Sequence, residues 1–416
     1  MGALSELHLT VVTVPLAHAP AFIDILDAEH PLLWRRRGAG LVGYGCALKL
    51  NLNNATRFDD AASAWKEITD AATVTDEVNL HGTGLVAFAS FSFAEKSHMA
   101  SVLIIPRVVI GRRDGVTWVT TITPAGEKAW SAEIPSIAPL GEPAVVSFAP
   151  GQQTEDGYRA SVVDASTRIT RGEVSKVVLA RDLTGVIPDG SDIRPMIGAL
   201  AASYPDCWTF AIDGLIGSSP ETLVRVLEGT VDARVLAGTA ARGIDPQSDL
   251  DAASALATNT KDLDEHAFAV RSVIDELEPY ATHVTLGESP FTLRLANLWH
   301  LATDITGDLR DGATALEVIA ALHPTAAVAG TPRAEALSVI TALEPFDRGR
   351  YAGPVGWIGA NGDGEWAIAL RCVQVDGQKV TAYAGCGIMA NSDPDAELRE
   401  TKMKFRPVVD ALSPVE

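Results

Sequence analysis

Residues 355–385 constrain the fold more than any other stretch. Three apolar runs, 355–360, 366–375 and 379–385, are separated by Asn361-Gly362-Asp363-Gly364 and by Asp376-Gly377. Asn-Gly and Asp-Gly pairs tolerate the positive φ that tight hairpins require, so the spacing predicts a three-strand antiparallel meander. Arg112-Arg113-Asp114-Gly115, flanked by the runs 102–110 and 116–122, is read in the same way. Further strands are predicted at 84–93, 174–179, 208–212, 222–227 and 230–236, and helices at 155–172, 192–203 and 250–278. Strands in runs with helices interspersed singly point to an α+β fold with large antiparallel sheets. The stretch 131–157, rich in Pro, Gly, Ser and Gln, is the best candidate for an internal linker.

Charge and cysteine usage narrow the function. A formal net charge of −20 over 416 residues argues against nucleic acid and anionic membranes as partners. It leaves room for a small anionic substrate, because a metal or a few local cations can reverse the field inside a cleft. Cys46, Cys207, Cys372 and Cys386 are scattered, with no CxxC or Cys/His cluster, which suits reduced thiols and gives no sign of zinc. No signal-peptide pattern opens the chain, and the apolar run 101–110 is broken by Pro106 and Arg107, far short of a membrane span. The expectation is a soluble, cytoplasmic protein.

Two pairs of carboxylates suggest chemistry. After the glycine-rich segment Gly385-Cys386-Gly387, Ser392 is a natural N-cap and Pro394 suits the first helical position. Glu397 and Glu400 then fall on one helix face, and Asp262 and Glu265 have the same spacing on another predicted helix. First-turn acids can simply complement a helix dipole, but four carboxylates from two helices can also hold a hard divalent ion such as Mg²⁺.

Other residues are ambiguous alone. Lys176 shares a strand face with Val174, Val178 and Ala180, so it is either an edge lysine or a buried amine able to act as a base. Glu221 lies in a turn feeding a strand, either exposed or held with a raised pKa as a general acid. Arg371, on the predicted strand 366–375 with Ala367, Ala369 and Val373, needs an anionic partner, whether an internal acid or a bound carboxylate. Gly385, Gly387 and Gly238-Thr239 would let backbone approach an anion. His300 and His323 are single histidines in apolar runs.

The ordered set is more specific than its parts. It comprises Lys176-Val-Val-Leu-Ala-Arg181, Ser219-Pro-Glu221-Thr-Leu223, Leu236-Ala-Gly238-Thr239, Asp262-Leu-Asp-Glu265-His266, Leu322-His-Pro-Thr-Ala-Ala327-Val-Ala-Gly330, Gly353-Pro-Val-Gly-Trp357, Ala384-Gly-Cys-Gly-Ile388 and Glu397-Leu-Arg-Glu400-Thr401. This resembles the chorismate-binding enzymes, the isochorismate, salicylate, anthranilate and aminodeoxychorismate synthases. The resemblance covers about residues 150–412 and is absent from the first third. Cys386 stands where the family usually has alanine, and Leu398 where tryptophan is common; both put fine geometry in question rather than chemistry.

The resemblance implies one α+β domain over 1–416, made of two pseudo-symmetric halves of antiparallel sheet stacked with helices outside. Residues 1–150 form its variable half and 151–412 the motif-bearing catalytic region, so the 131–157 stretch becomes internal to the domain. It implies Mg²⁺ as cofactor, with Glu265 and Glu400 as direct ligands and Asp262 and Glu397 binding the metal's waters. Arg371, Tyr351 and the amides near Gly385 and Gly387 match positions holding the enolpyruvyl carboxylate of chorismate. His300 matches a histidine beside the C4 hydroxyl, and Gly238, Thr239, Ala327 and Lys404 complete the substrate-binding set. Lys176 and Glu221 match the general base and general acid. Aminating members generally lack that lysine, so water is the expected nucleophile, with no glutaminase subunit and a monomeric chain. Ala327 stands where salicylate and anthranilate synthases typically carry threonine, which ranks isochorismate formation first and salicylate formation second. Menaquinone and siderophore pathways both stay open. A non-catalytic metal-binding relative would be expected to have lost Lys176 or Glu221, and neither is lost.

Overall fold

The turn residues act as their chemistry dictates. In the computed structural model, which describes residues 8–17, 20–128, 139–294, 298–310 and 312–413, Asp114 and Gly115 have φ of 52° and 80°. They close the hairpin between Val108–Arg113 and Val116–Pro124.

Several single apolar runs prove to be two strands in two different sheets. The run 102–110 divides into Ser101–Ile105 and Val108–Arg113, which lie in separate sheets. The run 366–375 divides likewise: Gly364–Ile368 pairs in the smaller sheet, Cys372–Asp376 in the larger, and Arg371 turns the chain between them at φ 50°. The expected three-strand meander is therefore four strands shared by two sheets, and Arg371 sits at the crossing rather than on a strand face. Hydrophobic periodicity could not reveal this, because both halves of each run are buried on both sides. A further strand, Leu215–Ser219, lies in the larger sheet and continues as Thr222–Leu227 in the smaller one, with Pro220 and Glu221 forming the crossing. The turn expected ahead of Glu221 is thus confined to Pro220 and Glu221.

Among the described residues the larger sheet has 13 strands and the smaller has 10. Pairing is antiparallel except between Leu9–Pro15 and Thr73–Asp76. Both sheets are continuous across the chain. In the larger, Trp208–Ile212 bonds to Leu32–Arg36; in the smaller, Pro354–Gly359 bonds to Val86–Ser90. One apolar core runs from Leu9 to Leu398 between the sheets, so the first third and the remainder form a single domain. Trp34, Trp118, Trp357 and Trp366 are completely buried in it. Of the predicted linker, residues 131–138 lie outside the described residues; Ala149–Pro150 is a short edge strand and a helix begins at Glu155.

Helices cover the outer faces. The predicted helix 250–278 is two, Pro246–Thr258 and Thr260–Leu277. Asn259, at φ −72° and ψ 113°, ends the first and caps the second, its side chain accepting from Asp262 N at 3.1 Å. The C-terminal helix Pro394–Ala411 has proline at its first position, as expected. Its N-cap is Asp393, which accepts from Ala396 N at 2.7 Å, not Ser392. The Ser392 hydroxyl instead donates to Glu397 Oε1 at 2.7 Å and so steers one of the candidate acids.

Candidate active site

The two crossings between the sheets are bonded side by side. Ile368 N donates to Glu221 O at 3.1 Å, Ser218 N to Arg371 O at 3.2 Å, and Ser219 Oγ to Ile368 O at 2.6 Å. Glu221 and Arg371 are thus fixed relative to each other by backbone, and a cavity of about 240 Å³ opens beside them. Lys176, at the first residue of the strand Lys176–Val186, faces this cavity, as do Gly385 and Gly387 from the neighbouring strand Lys379–Ile388. The strands Thr230–Ala241 and Leu298–Leu309 contribute Gly238 and His300. Helix Thr260–Leu277 supplies Asp262 and Glu265, and helix Pro394–Ala411 supplies Glu397, Glu400 and Lys404. Loops bring Ala327 and Tyr351. The structure therefore gathers the residues singled out in the sequence onto one cavity, apart from Thr239, whose side chain lies outside the described residues. His323 is buried elsewhere, bonded through Nε2 to Phe93 O at 2.9 Å.

Local backbone explains several placements. Gly238, at φ 79°, sits where the register of Thr230–Ala241 against Leu298–Leu309 shifts, and its carbonyl meets His300 Nδ1 at 3.3 Å. Gly387 lets the lysine chain lie across it: a Cβ there would come within 2.9 Å of Lys176 Cε. Buried His266 locks the acid-bearing helix to the sheet, with Nδ1 3.2 Å from Ala237 O and Nε2 2.7 Å from Thr303 Oγ1.

The electrostatics separate an acid from a base. Lys176 and Glu221 are half-buried, and the surrounding protein dominates their ionisation. Burial lowers the Lys176 pKa; Glu265, Glu221 and Glu400 pull the other way without reversing it. Burial raises Glu221 to about 7 against the pull of Arg371, Lys404 and Lys176. An amine made easier to deprotonate and a carboxyl kept protonated are the two states that general base and general acid catalysis require. His300 is lowered to about 4 by burial and the nearby cations, so it is neutral at pH 7. The Arg371 guanidinium has no ion-pair or hydrogen-bond partner among the described residues, and burial lowers its pKa. A half-buried guanidinium without an acid of its own, facing a cavity, is an anion site.

The acids of the C-terminal helix have the donor chemistry of a cation site. Glu397 and Glu400 carboxylate oxygens and Cys386 Sγ all lie within 4.8 Å of one another. Burial, and then Glu400, raise the Glu397 pKa, although Ser392 opposes them. Burial also pushes Glu400 upward, but Lys404, with Nζ 2.6 Å from Oε1, together with Cys386 and Arg371 outweighs it and leaves the carboxyl lowered. Such crowded, repelling oxygen donors fit a hard divalent ion, while Asp262 and Glu265 line the same cavity outside this 4.8 Å cluster. The Cys386 thiol, raised to about 12 by burial, stays protonated and is a poor ligand for such an ion. Sequence reasoning did not find Glu344 and Arg348, a buried pair behind the cavity wall. Glu344 ends the helix Arg333–Leu343 and Arg348 closes the loop that follows Pro345, so no periodic pattern marks them as a pair.

The sequence model of the chorismate binding enzyme family matches residues 8–413. The isochorismate synthase DhbC of Bacillus subtilis (strain 168) is 38% identical over 275 residues, covering 63% of this chain and 69% of that protein. The salicylate biosynthesis isochorismate synthase of Pseudomonas aeruginosa is 32% identical over 415 residues, covering 94% of this chain and 86% of that protein. The structure of MenF, the menaquinone-specific isochorismate synthase of Escherichia coli, superposes with a TM-score of 0.80 over 97% of this chain and 95% of that one. At 24% identity, that superposition speaks for the fold alone. The chain belongs to the chorismate binding enzyme family.

Proposed function

We propose that the chain is an isochorismate synthase, converting chorismate reversibly to isochorismate. The observation that carries this reading is the presence on one cavity of Lys176, shifted toward the neutral amine, and Glu221, shifted toward the protonated acid. Lys176 Nζ takes a proton from water as the water oxygen bonds to C2. The ring double bonds shift, the C4–oxygen bond breaks, and Glu221 gives its proton to the departing hydroxyl, which leaves as water. Lys176 returns its proton to solvent and Glu221 regains one, so the cycle balances.

Arg371 and Tyr351 receive the enolpyruvyl carboxylate, with the backbone near Gly385 and Gly387 lending close approach. Neutral His300 is placed to bond the C4 hydroxyl. Glu265 and Glu400 would hold Mg²⁺ directly and Asp262 and Glu397 through water. When bound, the ion supplies charge to anchor the ring carboxylate. Gly238, Ala327 and Lys404 shape and charge the remaining wall. Because water is the nucleophile, the reaction needs no ammonia-delivering subunit, and a monomer suffices. The free thiols of Cys46, Cys207, Cys372 and Cys386 support a reducing, cytosolic setting. No helix among the described residues is long and apolar enough to cross a membrane.

Salicylate synthase is the second reading, and Ala327 at the cavity wall weighs against it. Incubation of the purified protein with chorismate and Mg²⁺, followed by chromatography and a pyruvate assay, tests both. A chorismate–isochorismate mixture with almost no pyruvate is expected. Stoichiometric pyruvate would favour salicylate synthase, and unchanged chorismate would remove both readings.

A further inference from the structure

Glu344 and Arg348 lie one layer behind the cavity and do not line it. Both are buried, and the pair is bidentate: Arg348 Nε donates to Glu344 Oε2 at 2.8 Å and Nη2 to Oε1 at 2.6 Å. A buried ion pair is often no more stabilising than well-packed apolar side chains. Its backbone contacts suggest what else it does.

The strand Lys176–Val186 is paired along one edge with Lys379–Ile388 from Val177 to Val186. On the other edge, Gly330–Thr331 pairs with Lys176 and Val177 and Ala329 O accepts from Val178 N at 2.9 Å, while Ala149–Pro150 pairs with Leu183 and Thr184 and Gly151 N donates to Asp182 O at 3.0 Å. In the gap, Arg348 Nη2 donates to Val178 O at 2.7 Å and Glu344 Oε1 accepts from Ala180 N at 2.7 Å. The guanidinium and the carboxylate thus stand in for the missing strand, donor for donor and acceptor for acceptor. Arg348 Nη1 also donates to Val328 O at 2.8 Å, in the loop that carries Ala327. One rigid fork therefore ties the strand that begins at Lys176 to the 328–331 segment, extending past Val178 the backbone bonds that Ala329 and Gly330–Thr331 make to residues 175–178.

We infer that the Glu344–Arg348 pair is a positioning device for the catalytic base, governing the chemical step and not substrate affinity. This rests on the isochorismate synthase reading. A displaced base costs turnover steeply, because a misplacement of about 1 Å can lose roughly 10²-fold in rate.

The pair also lines a separate cleft of about 940 Å³, through which a small cation can reach it. Arg348→Ala should lose kcat by about 10²-fold while KM for chorismate changes by no more than about 3-fold. Millimolar guanidinium chloride should restore at least about a tenth of the lost rate, with sodium chloride at equal ionic strength as control. The double variant Glu344→Leu/Arg348→Met should fold with a melting temperature near wild type yet stay as slow as the single variant. It also carries the test if Arg348→Ala does not fold. Near-normal kcat in either folded variant, or no rescue of folded Arg348→Ala by guanidinium, overturns the inference. A wild-type protein that makes no isochorismate fails the functional reading instead.

Discussion

At the scale of single residues, Lys176 and Glu221 acquire their chemistry from position. Lys176→Ala and Glu221→Gln should each lose about 10²–10⁴-fold in turnover while still binding chorismate, as measured by product formation and calorimetry. The wild-type rate should be bell-shaped in pH. It falls at low pH as the amine protonates and falls again as Glu221 ionises. The limb that titrates near 7 should disappear in Glu221→Gln. The same carboxyl costs stability. Its folded pKa of about 7 lies above the unfolded value of 4.5, so between those values the folded state holds the extra proton, and stability falls as pH rises through the window. Relative to the wild type, Glu221→Gln should therefore melt higher at pH 8, by up to ~3 kcal/mol, with the two converging at pH 4. A variant that is less stable at pH 8 than at pH 4 relative to wild type would contradict the raised acid.

At the scale of elements, strands and turns were legible where the rule is local, and sheet membership was not. Asp114-Gly115 announces its hairpin because only a few residues accept φ of 52° and 80° in sequence. Pro106-Arg107 marks a break in its run, but at this crossing, as at Pro220-Glu221 and residues 369–371, the change of sheet is silent, since apolar strands read alike whichever sheet they join. The helix break at Asn259 was hidden by apolar periodicity on both sides, although the cap residue itself was visible. The acids, the lysine and the arginine were recognisable as an ordered set, but their convergence depends on those silent crossings. Two glycines at the same place separate strand geometry from chemistry. At Gly387 an added Cβ meets only the flexible end of Lys176, at 2.9 Å, whereas at Gly385 it meets the backbone Leu179 O at 2.8 Å. Gly387→Ala should fold normally and lose about 10–10²-fold in kcat through a displaced amine. Gly385→Ala should lower the melting temperature, because backbone must move. Equal destabilisation of both would assign Gly387 to packing alone.

At the scale of the whole molecule, the cavity is a seam between two sheets, and its acids come from both sides. Helix Thr260–Leu277 packs on the smaller sheet's strand Thr230–Ala241, and helix Pro394–Ala411 on the larger sheet's strand Lys379–Ile388. A divalent ion shared by Glu265 and Glu400 would tie one layer to the other, beyond what either pair achieves by neutralising its own helix. Binding to the folded state alone stabilises it, by about 2.7 kcal/mol at a free concentration of 100 Kd. Mg²⁺ should therefore raise the melting temperature of the wild type by a few degrees, and EDTA should reverse the shift and abolish activity. Glu265→Gln and Glu400→Gln should each remove most of the shift, although they lie on different helices and different sheets. Asp262→Asn and Glu397→Gln should only weaken it, as changes to groups that hold a metal's waters usually do. A shift that survives Glu265→Gln unchanged would mean that the C-terminal helix holds the ion alone, and the seam would then be closed by substrate rather than by metal.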